Sequence, residues 1–231
     1  MLYLNINQLK IDTKESQLVN LSFDISSSTA LIGESGSGKS LTLKAILNLL
    51  PSKLNVIKEF DSNFDLNYDT IGFIPQNPFT SLSTMTKVKD QFFCSKEKIV
   101  EVLKLVNLDE TVLNKFPNQL SGGQIQRVVI AIALSRNIKL LLLDEPTTAL
   151  DNENKKNIIN LISKLQKELN ILTLFVTHDI ESIKDLCENI VVLNKGEIVE
   201  QGLTKNILES AKNEYTQKLI DSTFKNKNFR N

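Results

Sequence analysis

Charge of either sign is not in excess in this sequence: 27 Lys+Arg stand against 27 Asp+Glu, for a formal net charge of +0. A chain whose main partner is nucleic acid usually carries a basic excess or a concentrated basic face, so no nucleic acid is expected as a partner. Long hydrophobic runs are missing as well. A stretch such as "LLLL" at 140–143 falls far short of the roughly 18 apolar residues that span a bilayer. The amino terminus, "MLYLNINQLKIDTKESQ", has neither the basic start nor the small-residue cleavage site of a secretion signal. Cys94 and Cys187 stand alone, without metal-binding or redox spacing, and read as two reduced thiols of a cytoplasmic protein. These absences predict a protein that does not cross a membrane by itself.

Glycine is scarce too, and its placing is informative. Five of the eight glycines fall in two short stretches, "GESGSGKS" at 33–40 and "LSGGQ" at 120–124. Ordering glycine is entropically costly, so it is used where backbone must turn sharply or approach a ligand closely. Two places where backbone meets ligand are therefore expected.

With 231 residues the chain is long enough to bury a full core. Near the start, "YLNINQLKI" and "VNLSFDI" alternate apolar and polar residues as half-buried strands do. The apolar "TALI" runs into the first glycine turn, and "SLTLKAILNLL" then reads as a buried helix stopped by Pro51. Residues 51–70 are polar and weakly patterned, followed by a short strand in "TIGFIPQ". From 77 to 137 the character is helical, in "EKIVEVLKLVNL" and "SGGQIQRVVIAIALSRN". Beyond it, "KLLLLDEP" and "ILTLFVTHD" are strand-length apolar runs separated by a helix at about 152–169. Apolar runs alternating with helices predict a parallel sheet covered on both faces. "NIVVLNKGEIVEQG" reads as a hairpin turning at Lys195-Gly196. The expected organisation is one domain: an α/β core from 1–76 and 138–220, an inserted helical subdomain at 77–137, and a frayed tail at 221–231.

"GESGSGKS" fits the pattern G-x-x-x-x-G-K-[ST] in full, with a strand before it and a helix after it. Loop amides of this pattern cradle phosphates, and the following helix presents its positive end to them. The candidate nucleotide-binding set is Gly33, Glu34, Ser35, Gly36, Ser37, Gly38, Lys39, Ser40 and Leu41. Lys39 reaches the β- and γ-phosphates, and the Ser40 hydroxyl ligates Mg²⁺. The strand "KLLLLDEP" ends in two acids at its carboxyl tip, where ligands bind in open α/β sheets. Asp144 is expected in the Mg²⁺ shell, and Glu145 as the group that polarises the attacking water. By itself the pair also reads as a solvated loop before Pro146. "LSGGQ" has a plain structural reading, with Ser121 as a helix N-cap, which is compatible with an anion contact at the same helix start.

Together these motifs resemble those of the ATP-binding cassette (ABC) ATPases: the phosphate loop, "LSGGQIQR" as the family signature, and the remaining motifs in the family's order. The resemblance implies a P-loop NTPase core with a mostly parallel sheet, an N-terminal antiparallel β part and an inserted α-helical subdomain. It implies ATP and Mg²⁺ as ligands. It also implies that Ser121, Gly122, Gly123 and Gln124 contact the γ-phosphate bound by a second ATPase subunit, identical or paralogous. Gln76 in "FIPQNP" matches the glutamine that links Mg²⁺ and water to the membrane partner. Asp151, ending "ALD", matches the loop that communicates across the dimer, and is also a natural N-cap. His178 matches the switch histidine near the γ-phosphate, so Glu145, His178 and Lys39 are the implied catalytic set, and Ser40, Gln76 and Asp144 the metal set.

"NPFTSLSTMTKV", "THDIESIKDLCENIVVLNKGEIVEQG" and "KNEYTQKLI" are similar to the ATPases of peptide and nickel importers. This finer likeness implies transmembrane permease subunits as partners, a solute-binding protein indirectly, and a peripheral place on the cytoplasmic face of the membrane. Phe79, Leu82 and Met85 are the candidates for touching a permease. An exporter ATPase is the nearest alternative, and a DNA-repair or chromosome-associated ABC ATPase a more distant one. The chain ends near 231 without the cysteine-bearing extension common among peptide-importer ATPases.

Aligning "LKIDTKESQLVNLSF" to the family puts Thr13 near the position of the aromatic that stacks on adenine. Stacking contributes on the order of 1–3 kcal/mol, and threonine does not stack. Paired titrations with ATP and GTP are therefore expected to give affinities within about tenfold of each other. A hundredfold preference for ATP would contradict this reading of Thr13.

Overall fold

The computed structural model describes residues 1–148 and 150–225. The chain divides into two compact units, Met1–Leu66 with Leu172–Asn231, and Asn67–Ile171.

The first unit opens with three antiparallel strands. Strand β1 (Leu4–Asp12) lies between β2 (Gln17–Ile25) and β4 (Asn55–Ser62). Its apolar residues Leu4, Ile6, Leu9 and Ile11 are all fully buried, although strict alternation would turn the last two to the opposite face. A bulge resolves this. Ile6 pairs with Phe23 and Leu9 with Leu21, so Asn7 and Gln8 oppose one residue and the side-chain phase is reset.

Strand β3 (Ser28–Ile32) runs parallel to both β7 (Leu172–Thr177) and β8 (Asn189–Asn194). Its last four residues are buried, as expected for a strand flanked on both sides. β8 turns back into β9 (Glu197–Leu203) through Lys195 and Gly196, at φ 49° and 83°. Two left-handed residues in a two-residue loop match the twist of the hairpin. Helix α1 (Lys39–Ile46) follows the glycine loop and turns Thr42, Leu43, Ala45 and Ile46 inward. Helices α5 (Ile180–Lys184), α6 (Thr204–Ser210) and α7 (Glu214–Lys225) complete the unit.

In the second unit β5 (Ile71–Ile74) pairs parallel with β6 (Leu140–Asp144), whose four leucines are wholly buried. Helices α2 (Lys96–Leu105), α3 (Gly122–Leu134) and α4 (Asn152–Leu169) belong to it. α4 buries Ile158, Leu161, Ile162 and Leu165, a stripe at the spacing of one helix face. The Asp151 carboxylate caps its start and Asn170, at φ 49°, ends it. The segment 77–137 read as a helical insert lies within this unit, which also holds β5, β6 and α4. That segment carries four short 3₁₀ turns besides α2 and α3.

Three local expectations change. The polar stretch 51–70 contains β4, six of whose eight residues are exposed. A strand with no buried face has no reason to alternate. Helix α1 stops at Ile46, before Pro51, because Asn48 adopts a left-handed φ of 57°. The frayed tail was expected from 221, yet α7 continues to Lys225; residues 226–231 lie outside the described residues. Among the described residues, no helix is long and apolar enough to cross a membrane.

Candidate functional site

The candidate residues fall in both units. In the first, buried β3 delivers the chain to Gly33, where a Cβ would stand 2.3 Å from the Leu193 carbonyl oxygen of β8. That oxygen is backbone, so only glycine fits. The crest of the loop, residues 34–36, is exposed, while Ser37, Gly38 and Lys39 turn inward. The Ser37 N–H donates to the Glu34 carbonyl at 3.2 Å, and the Gly196 N–H donates to the Ser37 carbonyl at 3.0 Å. The hairpin turn of β8 and β9 thus braces the loop.

Lys39 is only 8% exposed. A buried ammonium is costly unless its protons meet acceptors. Nζ donates to the Gly33 carbonyl at 2.7 Å and to the Glu34 carbonyl at 2.8 Å. Ser40, exposed, and Leu41, half-buried, sit in the first turn of α1, whose amides and dipole favour an anion. The loop therefore joins exposed backbone, an anchored cation and a hydroxyl, the chemistry of a phosphate chain.

His178 is the exposed residue that follows β7. Its neighbour Asp179 donates its N–H to Thr177 Oγ1 at 2.9 Å, and the Asp179 carboxylate accepts from the Glu181 N–H at 3.2 Å and from Ser182 Oγ. These bonds fix the turn that carries the imidazole. Thr13 serves another turn. Its hydroxyl accepts from the N–H groups of Glu15 and Ser16 at 3.2 and 3.0 Å, closing the connection from β1 to β2.

In the second unit β6 ends on Asp144, and Glu145 follows at φ 45°. A left-handed non-glycine residue costs roughly 1–2 kcal/mol and persists where its surroundings hold it. Glu145 Oε2 accepts from Gln76 Nε2 at 3.1 Å and from Thr148 Oγ1 at 3.0 Å. The Thr148 N–H also donates to the Glu145 carbonyl at 3.2 Å. Gln76, just beyond β5, is thereby joined to the acid 69 residues away.

Each unit, taken by itself, carries oxygen donors of the kind that Mg²⁺ prefers, a hard cation usually held by one or two carboxylates with substrate phosphates. Ser40 offers a hydroxyl and Asp144 a carboxylate. Gln76 directs Nε2 to Glu145, leaving Oε1 as its amide atom for a cation. Among the described residues no three His, Cys, Asp or Glu side chains cluster to hold a metal unaided.

Ser121 and Gln124 form a reciprocal cap at the start of α3. Ser121 Oγ accepts from the Gln124 N–H at 3.3 Å, and Gln124 Oε1 accepts from the Ser121 N–H at 3.0 Å. Behind Gly122, a Cβ on Gly123 would lie 2.6 Å from Asn154 Oδ1. Asn154 donates its N–H and Nδ2 to the Asp151 carboxylate at 2.9 and 2.7 Å. The backbone N–H and then the side-chain amide of Asn154 hold the Asp151 carboxyl below its ordinary pKa. The structure thus links Gly123 and Asp151 through Asn154.

Of the three residues expected to meet a permease, Phe79 and Met85 are exposed but Leu82 is buried, only 7% exposed. Phe93, 90% exposed, is an apolar neighbour in sequence that pattern reading passed over. Thr148 and Asn154 were also passed over, since nothing in their local sequence marks the partners they find.

The ABC transporter family matches residues 17–148, more than half of the chain, and the chain belongs to that family. The oligopeptide transport ATP-binding protein OppD of Bacillus subtilis is 36% identical, with 88% of this chain and 65% of that protein covered. The methionine import ATP-binding protein MetN 1 of Oenococcus oeni is 37% identical, with 91% and 65% covered. The chain spans 40–65% of the length of these and two other curated relatives. A solved dimeric ATP-binding cassette in a post-hydrolysis state, bound to ADP and Pi, superposes with a TM-score of 0.69 at 31% identity, covering 87% of this chain and 98% of that one.

Gly123→Ala is expected to displace the Asn154 amide from Asp151 and lower stability by about 1 kcal/mol, the worth of one hydrogen bond. In an Asn154→Ala background the same substitution should be neutral or stabilising, because alanine favours a helix over glycine. Urea unfolding of the four proteins measures the coupling. Equal effects in both backgrounds would contradict the contact.

Proposed function

We propose that the chain is the ATP-hydrolysing subunit of an ABC importer, coupling ATP binding and hydrolysis to transport of a peptide or nickel through separate membrane permeases. The observation that carries the reading is the Glu145 carboxylate, held in a left-handed backbone by Gln76 and Thr148 at the end of β6. A carboxylate fixed by donors at a strand tip is a base aimed in advance of its substrate. The likeness to the oligopeptide transport protein favours a peptide among the possible solutes.

In this reading loop residues 33–41 bind the triphosphate, with Lys39 on the β- and γ-phosphates and Ser40, Asp144 and Gln76 as the Mg²⁺ ligands. Mg²⁺ supplies charge neutralisation on the phosphate oxygens. Glu145 takes the proton of a water as its oxygen attacks the γ-phosphorus, and the bond to the ADP oxygen breaks. His178 orients the γ-phosphate. Ser121, Gly122, Gly123, Gln124 and Asp151 meet the nucleotide of a second subunit, a role supported by the dimeric ADP-bound cassette. The exposed Phe79 and Met85 offer an apolar contact to the permease, and in this reading the chain sits peripherally on the cytoplasmic face of the membrane. Residues 1–76 and 138–220 act as the nucleotide-binding core and 77–137 as the docking subdomain.

Glu145→Gln keeps the shape of the side chain and removes its basicity. It is expected to bind Mg-ATP within about threefold of wild type while turnover in the assembled transporter falls roughly 10²-fold or more. Calorimetry and phosphate release measure the two quantities. Near-wild-type turnover would remove Glu145 from the role of base.

A further inference from the structure

The first peptide of the phosphate loop is held at both ends. The Gly33 carbonyl accepts from Lys39 Nζ at 2.7 Å, and the N–H of the same peptide, on Glu34, donates to Tyr215 Oη at 3.0 Å. Tyr215 lies in the first turn of α7, 181 residues beyond Glu34. A peptide that donates at one end and accepts at the other is polarised by both partners. Rotation of this peptide would swing the Gly33 oxygen away from the ammonium.

Tyr215 is itself fixed. The Glu200 carboxylate on β9 accepts from the N–H groups of Lys212 and Asn213 at 2.7 and 3.2 Å. Asn213 Oδ1 accepts from the Tyr215 N–H at 2.8 Å, and Thr216, the next residue, is fully buried. The start of α7 is therefore clamped to β9, and the phenol projects from a rigid base onto the loop.

We infer that Tyr215 is a positioning residue for nucleotide binding, setting through the Gly33–Glu34 peptide where the Lys39 ammonium stands before the phosphates arrive. The inference rests on the reading of the loop as an ATP site. It makes α7 part of the nucleotide site by way of the loop backbone. The tether acts by pre-organisation. Once the triphosphate is bound, the phosphates themselves hold the lysine, so the effect belongs in binding rather than in turnover.

The test is Tyr215→Phe in the full chain, which keeps the ring and removes the acceptor. Loss of one hydrogen bond is expected to weaken Mg-ATP binding by about three- to tenfold. In the assembled transporter KM for ATP should rise similarly, with kcat within about twofold. Thermal unfolding reports whether the variant is folded. An unchanged affinity in the folded variant, or a fall in kcat with KM unchanged, would overturn the inference. Hydrogen exchange of the wild-type Glu34 amide is independent of the variant. Protection relative to the Gly36 amide is expected, and exchange as fast as Gly36 would overturn the tether. If wild type does not bind Mg-ATP at all, the ATP reading fails, while the exchange measurement still decides the contact.

Discussion

The Lys39 ammonium lies almost entirely out of water and needs acceptors there, and the first unit is arranged around that constraint. Its protons go to the Gly33 and Glu34 carbonyls, which are available only because the chain leaves β3 in a tight loop over the strand end. The loop can close there because Gly33 has no side chain to strike the Leu193 carbonyl. The buried strand, the glycine and the position of the lysine at the head of α1 are thus one requirement seen at three levels. The hairpin turn at Gly196 and the phenol of Tyr215 brace the loop from outside.

The second unit solves the opposite problem. Glu145 is a carboxylate and needs donors, which come from Gln76 and Thr148. The Gln76 and Thr148 hydrogen bonds hold Glu145 in a conformation that would otherwise cost stability. Gln76 follows β5 and Glu145 follows β6, and the parallel pairing of these strands brings the two loops to the same end of the ladder. Parallel strands carry their functional loops at one edge, which is why an amide and an acid far apart in sequence become partners.

The glycine loop between β3 and α1 was legible because its pattern is contiguous: eight neighbouring residues state the turn, the cation and the hydroxyl. Helix α4 was legible to its ends, since Asp151 and Asn170 are polar residues at the limits of an apolar period. β4 was not, because an exposed edge strand takes its order from β1 rather than from its own pattern. Nor was the early end of α1, where Asn48 looks like any polar helix residue until its backbone is seen. Leu82 looked like part of an exposed patch because burial is a property of the packed unit. The partners of Glu145, Asp151 and Glu34 were invisible for the same reason: Thr148, Asn154 and Tyr215 gain their roles only from what the fold sets beside them.

The account as a whole stands on the Lys39 ammonium as the principal charge offered to a triphosphate. Calorimetric titration of Lys39→Ala with Mg-ATP, beside wild type, addresses that claim with the fewest steps between geometry and readout. The account predicts a loss of affinity of at least tenfold, or about 1.4 kcal/mol, in a variant that remains folded. Wild-type affinity in Lys39→Ala would contradict it.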